Sequence, residues 1–388
     1  MQYKEILHRC FRCGYCKLPN DYSDINCPSY LKYGFESFSP GGRMWLIRAW
    51  LDLQIQNSPR LQEIFFSCAT CNNCVENCPF SKFKDQILKA FISAKEEMVN
   101  QGTVPASVRD YLTILYEHDN PYKISQKKRR DWAEGLQVPD YAGQEFLFYV
   151  GDVGSFDSRG REIACSVANL LKHLNISFGI LGSKEGPDGN EANALGETEL
   201  FEYLAKKNIQ TFNQHGVTKV ITLSPHSYNT FKNEYPELGS SFQVFHYTQI
   251  LASHLSQTSL AGQQEPGLTK RITFHDPCYL GRHNQDYQSP RDILHLLPSL
   301  ELTEMRRNRS NALCCGGGGG NFFTDLVCSG PETSAKVRAK EADEIGAEIL
   351  VTCCPICTII LEDAVKSQGL DQQIQVKEIS ELILDKRR

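Results

Sequence analysis

Several chemistries are excluded by what this chain lacks. Its 388 residues contain no apolar run of the roughly 18 residues that a membrane-spanning helix needs. The opening stretch, Met1 to His8, carries no apolar segment of a secretory signal. The formal net charge is −5, so no cationic excess is available to hold nucleic acid. No G-x-G-x-x-G stands after a strand-like stretch, which places any flavin or NAD on another chain. What remains is an ordinary globular balance, 41% apolar and 22% charged, over a length that suits about two to three domains.

Cysteine is the residue in excess. Sixteen are present, and all but Cys165 and Cys328 fall into three blocks. The first reads Cys10-x2-Cys13-x2-Cys16-x10-Cys27-Pro28, and the second Cys68-x2-Cys71-x2-Cys74-x3-Cys78-Pro79. The third is Cys278, the pair Cys314-Cys315, then Cys353-Cys354-Pro355-Ile356-Cys357. The second block matches the bacterial ferredoxin run, in which three thiolates hold one cluster and the fourth reaches across to its neighbour. Cys10, Cys13, Cys16 and Cys78 are therefore expected to hold one cubane [4Fe-4S] cluster. Cys68, Cys71, Cys74 and Cys27 are expected to hold the other. The insertion from Lys17 to Asn26 lengthens the first loop without removing a ligand. The prolines after Cys27 and Cys78 are expected to turn the chain away and help start the next element.

Zinc and disulfides are the alternatives. Structural zinc usually takes two C-x2-C halves, and a disulfide scaffold is usually short and follows a signal peptide. Reduced thiols in this number point to a reducing compartment, most simply the cytoplasm. The oxygen sensitivity of exposed clusters points to an anaerobic setting.

Residues 1–100 read as a helical domain. Met44 to Ile55 and Leu61 to Phe66 carry apolar residues at helical spacing, and Phe83, Ile87, Phe91 and Met98 continue a stripe. Residues 101–144 read as a helical and linking segment, with a helix over Val108 to Tyr116. Within it Lys127-Lys128-Arg129-Arg130 reads as a solvated face, with a dock for a redox partner as the alternative. From Glu145 the texture becomes strand–helix alternation. Phe146 to Val150, Ile176 to Leu181 and Lys219 to Leu223 read as buried parallel strands, with helices between them. The same order recurs from Arg271, which divides the rest into lobes at 145–262 and 263–388.

The two lobes align on each other. Phe148 to Asp152 sits over Phe274 to Cys278, Pro187-Asp188-Gly189 over Cys314-Cys315-Gly316, and Ser224 to Ser227 over Cys354 to Cys357. Val244 to Leu251 sits over Val376 to Ile383. Such a repeat suggests duplicated domains about a pseudo-twofold axis. Every cysteine of the second lobe's set meets a different residue in the first: Asp152, Pro187, Asp188, Ser224 and Ser227. The first lobe is therefore expected to keep the scaffold and hold no cluster. His226 lies in that vacant site without an assigned role.

In the second lobe, five thiolates exceed what one tetrahedral zinc or one ordinary cubane needs. An adjacent pair such as Cys314-Cys315 suits two neighbouring irons. Matching Ser224–Ser227 to Cys354–Cys357 leaves Cys353 as a buried thiol at a strand end. Gly316, Gly317 and Gly318 open a glycine run that permits close approach to a cofactor; a floppy surface loop is the alternative. His275, Asp276 and His283 flank Cys278. The two histidines are candidate proton donors for thiol chemistry, with a structural role at a strand end as the alternative.

The second half, Cys278-x35-Cys314-Cys315-x38-Cys354-x2-Cys357, resembles the cysteine-rich CCG domains found in the B-type and D-type subunits of heterodisulfide reductase. The segments CCGGGGGNFF, EADEIGAEILVTCCPIC and SPHSYNTFKNEYPE carry the likeness. The first half resembles the ferredoxin-like C-type subunit of the same enzyme, fused to the CCG part as in the D-type chain. The resemblance implies a noncubane [4Fe-4S] cluster on Cys278, Cys314, Cys315, Cys354 and Cys357. The B-type chain carries such a cluster in both lobes and cleaves a disulfide between them, whereas this chain has one set. Relatives with a single set include the catalytic subunit of the sulfite-reduction membrane complex and iron–sulfur subunits beside flavin oxidoreductases. Another is the heterodisulfide-reductase-like subunit of class II benzoyl-CoA reductase complexes.

The resulting expectation is an α-helical ferredoxin-like domain followed by two pseudo-symmetric α/β CCG lobes. It is an oxidoreductase subunit of an anaerobic multi-subunit complex, passing electrons between two cubanes and a noncubane site, with a thiol or disulfide as a substrate. A pure relay to a flavoprotein partner is the alternative. A flavin-containing heterodisulfide reductase A-like subunit, or another electron-transfer subunit, is the expected partner. The chain is expected in the cytoplasm, or peripheral to a membrane through that partner.

Overall fold

A computed structural model of the chain describes residues 3–19, 24–255, 269–297 and 300–385. The N-terminal part is helical. Its main helices are Pro28–Tyr33, Pro40–Leu51, Pro59–Phe66, Ile87–Asn100 and Ala106–His118. Three of them begin with proline at the first position, where its missing N–H costs nothing. Ser39 and Ser58 cap two, their hydroxyls accepting from Gly42 and Leu61 N–H at 3.0 and 3.2 Å. Cys27 is the residue before Pro28, so a cysteine loop ends by launching a helix. Pro79 launches none: a turn and the 3₁₀ segment Lys84–Gln86 intervene before Ile87. In the helix that follows, Ile87, Phe91, Ala94 and Met98 face inward at helical spacing.

The segment 101–144 is packed rather than slack. Trp132 and Val138 enter the core, and Asp140 pairs in parallel with Ile180 at a sheet edge. The expected solvated face at Lys127–Arg130 is corrected at one position. Arg129 is 1% exposed, because it lies between two carboxylates described below.

Two four-stranded sheets follow. The first holds β1 (Phe146–Tyr149), β2 (Phe178–Gly179), β3 (Lys219–Thr222) and β4 (Gln243–His246) in the order β2-β1-β3-β4. The second holds β5 (Lys270–Phe274), β6 (Leu300–Leu302), β7 (Ile349–Thr352) and β8 (Gln375–Glu378) in the order β6-β5-β7-β8. All pairings are parallel. The registers match as well: Phe148 pairs Ile221 in one sheet, and Phe274 pairs Val351 in the other. Buried on all four residues, Phe146–Tyr149 reads as a strand covered on both faces.

The lobes share one core, in which Phe148 and Tyr247 join Phe274 and Ile379. Arg159 ties them from outside, donating to Glu362 at 2.8 Å and to both oxygens of Glu381. The helical part packs on the first lobe: Phe65, Phe91 and Met98 share a cluster with Tyr149, Phe201 and Val220. Among the described residues, no helix is long and apolar enough to cross a membrane.

Candidate metal centres

Cys10, Cys13, Cys16 and Cys78 line one hollow near the surface, with Gly41 and Phe80 among its walls. Cys13 is exposed. Burial pushes the Cys10 and Cys78 thiols up, and that of Cys16 further. Four thiolates here therefore call for positive charge, which bound metal supplies.

The other four-cysteine set lies deeper. Cys27, Cys68 and Cys74 are buried, and Cys71 is half-buried. The long insertion returns onto the second cysteine loop. Asn26 donates to Asn73 Oδ1 at 2.9 Å, and Asn73 donates to the Cys16 carbonyl at 2.9 Å. Thr70 and Asn72, at φ 46° and 61°, curl the Cys68–Cys74 loop through left-handed backbone. Burial, with Cys68 and Cys71 beside it, raises Cys74 well above an ordinary thiol.

The third set is a single buried knot. Cys278 Sγ lies 3.7 Å from Cys314 Sγ, and Cys315 Sγ 3.4 Å from Cys357 Sγ. Cys354 shares their apolar cluster. Cys353 does not; it sits in the core between the lobes. The hydrogen bond to Cys278 raises Cys314, and that to Cys315 raises Cys357, with burial adding to each. Among the described residues, one group of three ligand atoms lies within 4.8 Å of one another: His275, Cys315 and Cys357. The four-cysteine sets are spaced more widely. A tetrahedral ion with zinc–sulfur bonds of about 2.3 Å would draw its sulfurs to within about 4 Å. The donor chemistry and the spacing thus fit polynuclear iron–sulfur groups better than single zinc ions.

The surroundings separate the candidate proton carriers. The His275 imidazole is buried with one ring nitrogen within 4.8 Å of Cys315 and Cys357 Sγ, and after Cys314 and Cys357 it helps hold the Cys315 thiol down. His283 is committed instead: its Nε2–H donates to the Thr70 carbonyl at 2.8 Å and its ring stacks on Tyr279 at 4.4 Å. Burial pulls it down to about 4, so it is neutral at pH 7. Asp276 is held bidentately by Arg291, at 2.7 and 3.0 Å.

The glycine run is buried, not floppy. A Cβ on Gly317 would stand 2.5 Å from Ile360 and 3.8 Å from Cys315 Sγ. One on Gly318 would meet the Ala69 carbonyl at 2.5 Å, and one on Gly319 the Cys68 carbonyl at 2.2 Å. Gly316 (φ 101°) stands 3.1 Å from Ser334 by the same measure. The run therefore lets the Cys68 loop lie directly on the third cysteine set. Arg282 spans the same seam, donating to the Cys71 carbonyl at 2.7 Å and to the carbonyls of Ser310 and Ala312.

In the first lobe the equivalent positions pair with one another. Ser227 donates to Asp188, where the second lobe has Cys357 against Cys315. Asp152 and Glu185 both accept from Arg129, the latter at 3.2 Å. Ser224 caps the helix Pro225–Asn229, accepting from the His226 N–H at 3.2 Å. Burial opposes charge on His226, but Glu191 at 2.9 Å outweighs it and raises the imidazole to about 10. Burial also lifts Asp188 to about 6 and Glu185 to about 7. A narrow cleft remains between the lobes, lined by Asp152, Asp188 and Ser224 on one side and Pro355 and Ile356 on the other.

Arg43, Lys95, Arg129 and Arg282 are buried cations that no spacing or periodicity marks out. The one local signal is Arg282, four residues after Cys278.

Comparison with known proteins agrees with this geometry. The family model described as a 4Fe-4S dicluster domain matches residues 6–81. The model described as a cysteine-rich domain matches twice, at 155–232 and 272–362, once in each lobe. A probable iron–sulfur-binding oxidoreductase FadF of Bacillus subtilis is 35% identical over 83% of this chain and 46% of its own length. An EtfAB:quinone oxidoreductase of Syntrophomonas wolfei is 30% identical over 83% of this chain and 46% of its own. The chain thus spans about half the length of these relatives. The D-type subunit of the dihydromethanophenazine:CoB–CoM heterodisulfide reductase of Methanosarcina barkeri is 27% identical over 98% of this chain and 93% of its own. The chain joins a 4Fe-4S dicluster domain to two cysteine-rich domains and is homologous to the D-type subunit of heterodisulfide reductase and to FadF-like iron–sulfur oxidoreductases.

Proposed function

We propose that this chain is the iron–sulfur electron carrier of an oxidoreductase complex. Cys10, Cys13, Cys16 and Cys78 hold an outer cubane. Cys27, Cys68, Cys71 and Cys74 hold an inner one, and Cys278, Cys314, Cys315, Cys354 and Cys357 hold a noncubane [4Fe-4S] cluster. The groups supply one-electron chemistry when bound. The protein's own part is to line them up. The observation that carries this reading is continuity: Cys71 packs against the third cysteine set, and the Cys68–Ala69 backbone lies on Gly318 and Gly319. The outer set, with exposed Cys13, is the face for a partner.

A relay is favoured over thiol or disulfide chemistry on this chain. The five thiols of the third set are buried, and the facing polar groups of the first lobe are paired among themselves. If a thiol is turned over, His275 is the candidate proton donor that stands beside the thiols, whereas His283 is bound to Thr70. The partner is a flavin-bearing subunit of heterodisulfide reductase A type, or another electron-transfer subunit such as the EtfAB that the Syntrophomonas relative's name contains. The complex is cytoplasmic, or held at a membrane through such a partner.

Anaerobically prepared protein should contain about 12 iron and 12 sulfide per chain. A count near 8 would remove the third cluster, and one near 16 would mean that the first lobe is loaded. Cys71→Ser should spoil a cubane signal and spare the noncubane one; Cys315→Ser should do the reverse. Loss of one and the same spectrum in both variants would overturn the assignment.

A further inference from the structure

The inner cysteine set is ringed by buried cations that have no carboxylate partner. Arg43 is 1% exposed. It donates to the Ile64 carbonyl at 2.7 Å, to Ser67 Oγ at 3.0 Å and to Ser29 Oγ at 2.8 Å. Ser29 Oγ lies 3.5 Å from Cys27 Sγ, and Ser67 precedes Cys68. Lys95 is fully buried, donates to the Ala194 carbonyl at 2.9 Å and lies over the Phe66 ring; burial pulls it down, and of the charges it feels Cys68 comes first, then Arg43 and, less, Glu191. Arg282 is 3% exposed, donates to the carbonyls of Cys71, Ser310 and Ala312, and sits close enough to the Cys71 thiol to help Cys314 hold it down. The acidic groups it feels most are Cys71, Cys278 and Cys314.

The contrast with the other buried arginines is consistent. Arg129 pairs with Asp152 and Glu185, Arg291 with Asp276 and Glu304, and Arg307 and Arg338 both pair with Glu341. Among the described residues, no ion pair is formed by Arg43, Lys95 or Arg282. An unpaired buried cation is strongly unfavourable, and four neutral thiols cannot offset three of them. Four thiolates on an iron–sulfur group can. Among the described residues the outer set has no unpaired buried cation: Arg12 and Lys84 beside it are exposed or half-exposed, where water screens them, and the buried Lys17, next to Cys16, is neutralised by Glu36.

We propose that Arg43, Lys95 and Arg282 are positioning charges that raise the reduction potential of the inner cluster above that of the outer one. Adding an electron adds one negative charge, and a fixed cation in a medium that screens poorly stabilises the more negative state. Arg282, placed on the seam, does the same for the third set. Under reduction the inner group fills before the exposed outer one. The inference rests on the assignment of Cys27, Cys68, Cys71 and Cys74 to a single cluster.

The test is a mediated redox titration of the holoprotein, followed by electron paramagnetic resonance, with iron and sulfide counted on every sample. Arg43→Met and Lys95→Met should each lower the inner potential alone, by a change on the order of tenfold in the reduced-to-oxidised ratio, about 59 mV for one electron. Arg282→Met should lower the inner and third potentials together and leave the outer one unmoved. Arg43→Lys and Arg282→Lys, which keep charge but not the fork, should retain most of the parent potential. The proposal falls if the Met variants keep full iron and unshifted potentials. It also falls if Lys and Met variants lose inner iron alike, which would make the side chains merely structural. A parent protein with iron near 8 and no inner signal would instead sink the cluster assignment, and is told apart by the count together with the missing signal.

Discussion

Arg129 lies between Asp152 and Glu185 with 1% of its surface exposed. Removing it leaves two buried carboxylates without a cation, a change that typically costs about 3–5 kcal/mol. The cost depends on pH. Burial already raises Glu185 to about 7, against the pull of Arg129. A carboxyl whose folded pKa exceeds its unfolded value binds its proton more tightly when folded. Its contribution is favourable in acid and is lost as pH rises from about 4.3, the unfolded value, towards about 7. Arg129→Met raises the folded value further. Its destabilisation should therefore be small near pH 5 and grow towards pH 8, which anaerobic denaturant unfolding at the two pH values reads directly. Equal losses at both would show that the side chain acts by packing alone. Glu378, raised to about 7 by burial and hydrogen-bonded by Tyr247 and Ser380, should give the same downward slope, and Glu378→Gln should flatten it.

At the scale of elements, the glycine run holds the helical domain against the second lobe. Gly319 has φ 65°, and a Cβ there would stand 2.2 Å from the Cys68 carbonyl. Gly102 has the same φ of 65° with nothing within 4 Å. Both Gly→Ala changes incur the left-handed penalty of about 1–2 kcal/mol, but only Gly319→Ala adds a backbone clash. Gly319→Ala should therefore lower the unfolding midpoint more than Gly102→Ala. It should also slow electron equilibration between inner and third clusters in stopped-flow spectra, and Gly102→Ala should not. Similar behaviour of the two variants would remove the seam from the argument.

For the molecule as a whole, duplication has produced one lobe that carries the five cysteines and one that is filled in. Matched sheet orders and matched registers show that the scaffold survived. What changed is the interior. Where five thiols stand in one lobe, the other has the Asp188–Ser227 pair and the Arg129–Asp152–Glu185 group. Replacing Asp152, Pro187, Asp188, Ser224 and Ser227 together by cysteine should leave iron near 12 per chain, because the buried Glu185 and Glu191 keep negative charge beside the place where an anionic cluster would stand. Adding Glu185→Gln and Glu191→Gln is the variant expected to bring the count towards 16. A fourth cluster assembling with both carboxylates in place would show that only the ligands were lost.

On their own, spacing, periodicity and alignment of the chain on itself carried the cysteine blocks, the helical first part, the duplicated strand–helix lobes and the loss of the cysteine set from one of them. These signals are all local or internally repeated. The prolines show the limit of that reading: Cys27-Pro28 starts a helix, whereas Cys78-Pro79 runs into a turn. Only the tertiary structure decided which charges are buried. Lys127 to Arg130 look alike in the chain, yet folding carries Arg129 inside and leaves its neighbours at the surface. It likewise decided that His275 stands beside Cys315 and Cys357 while His283 is bound to Thr70, and that Cys353 belongs to a different core from Cys354. The burial of Arg43, Lys95 and Arg282 around one cysteine set depends on segments up to some two hundred residues apart, as in the Arg282–Cys71 contact. A cation's effect scales with its distance and with the medium around it, and neither quantity exists until the chain has folded.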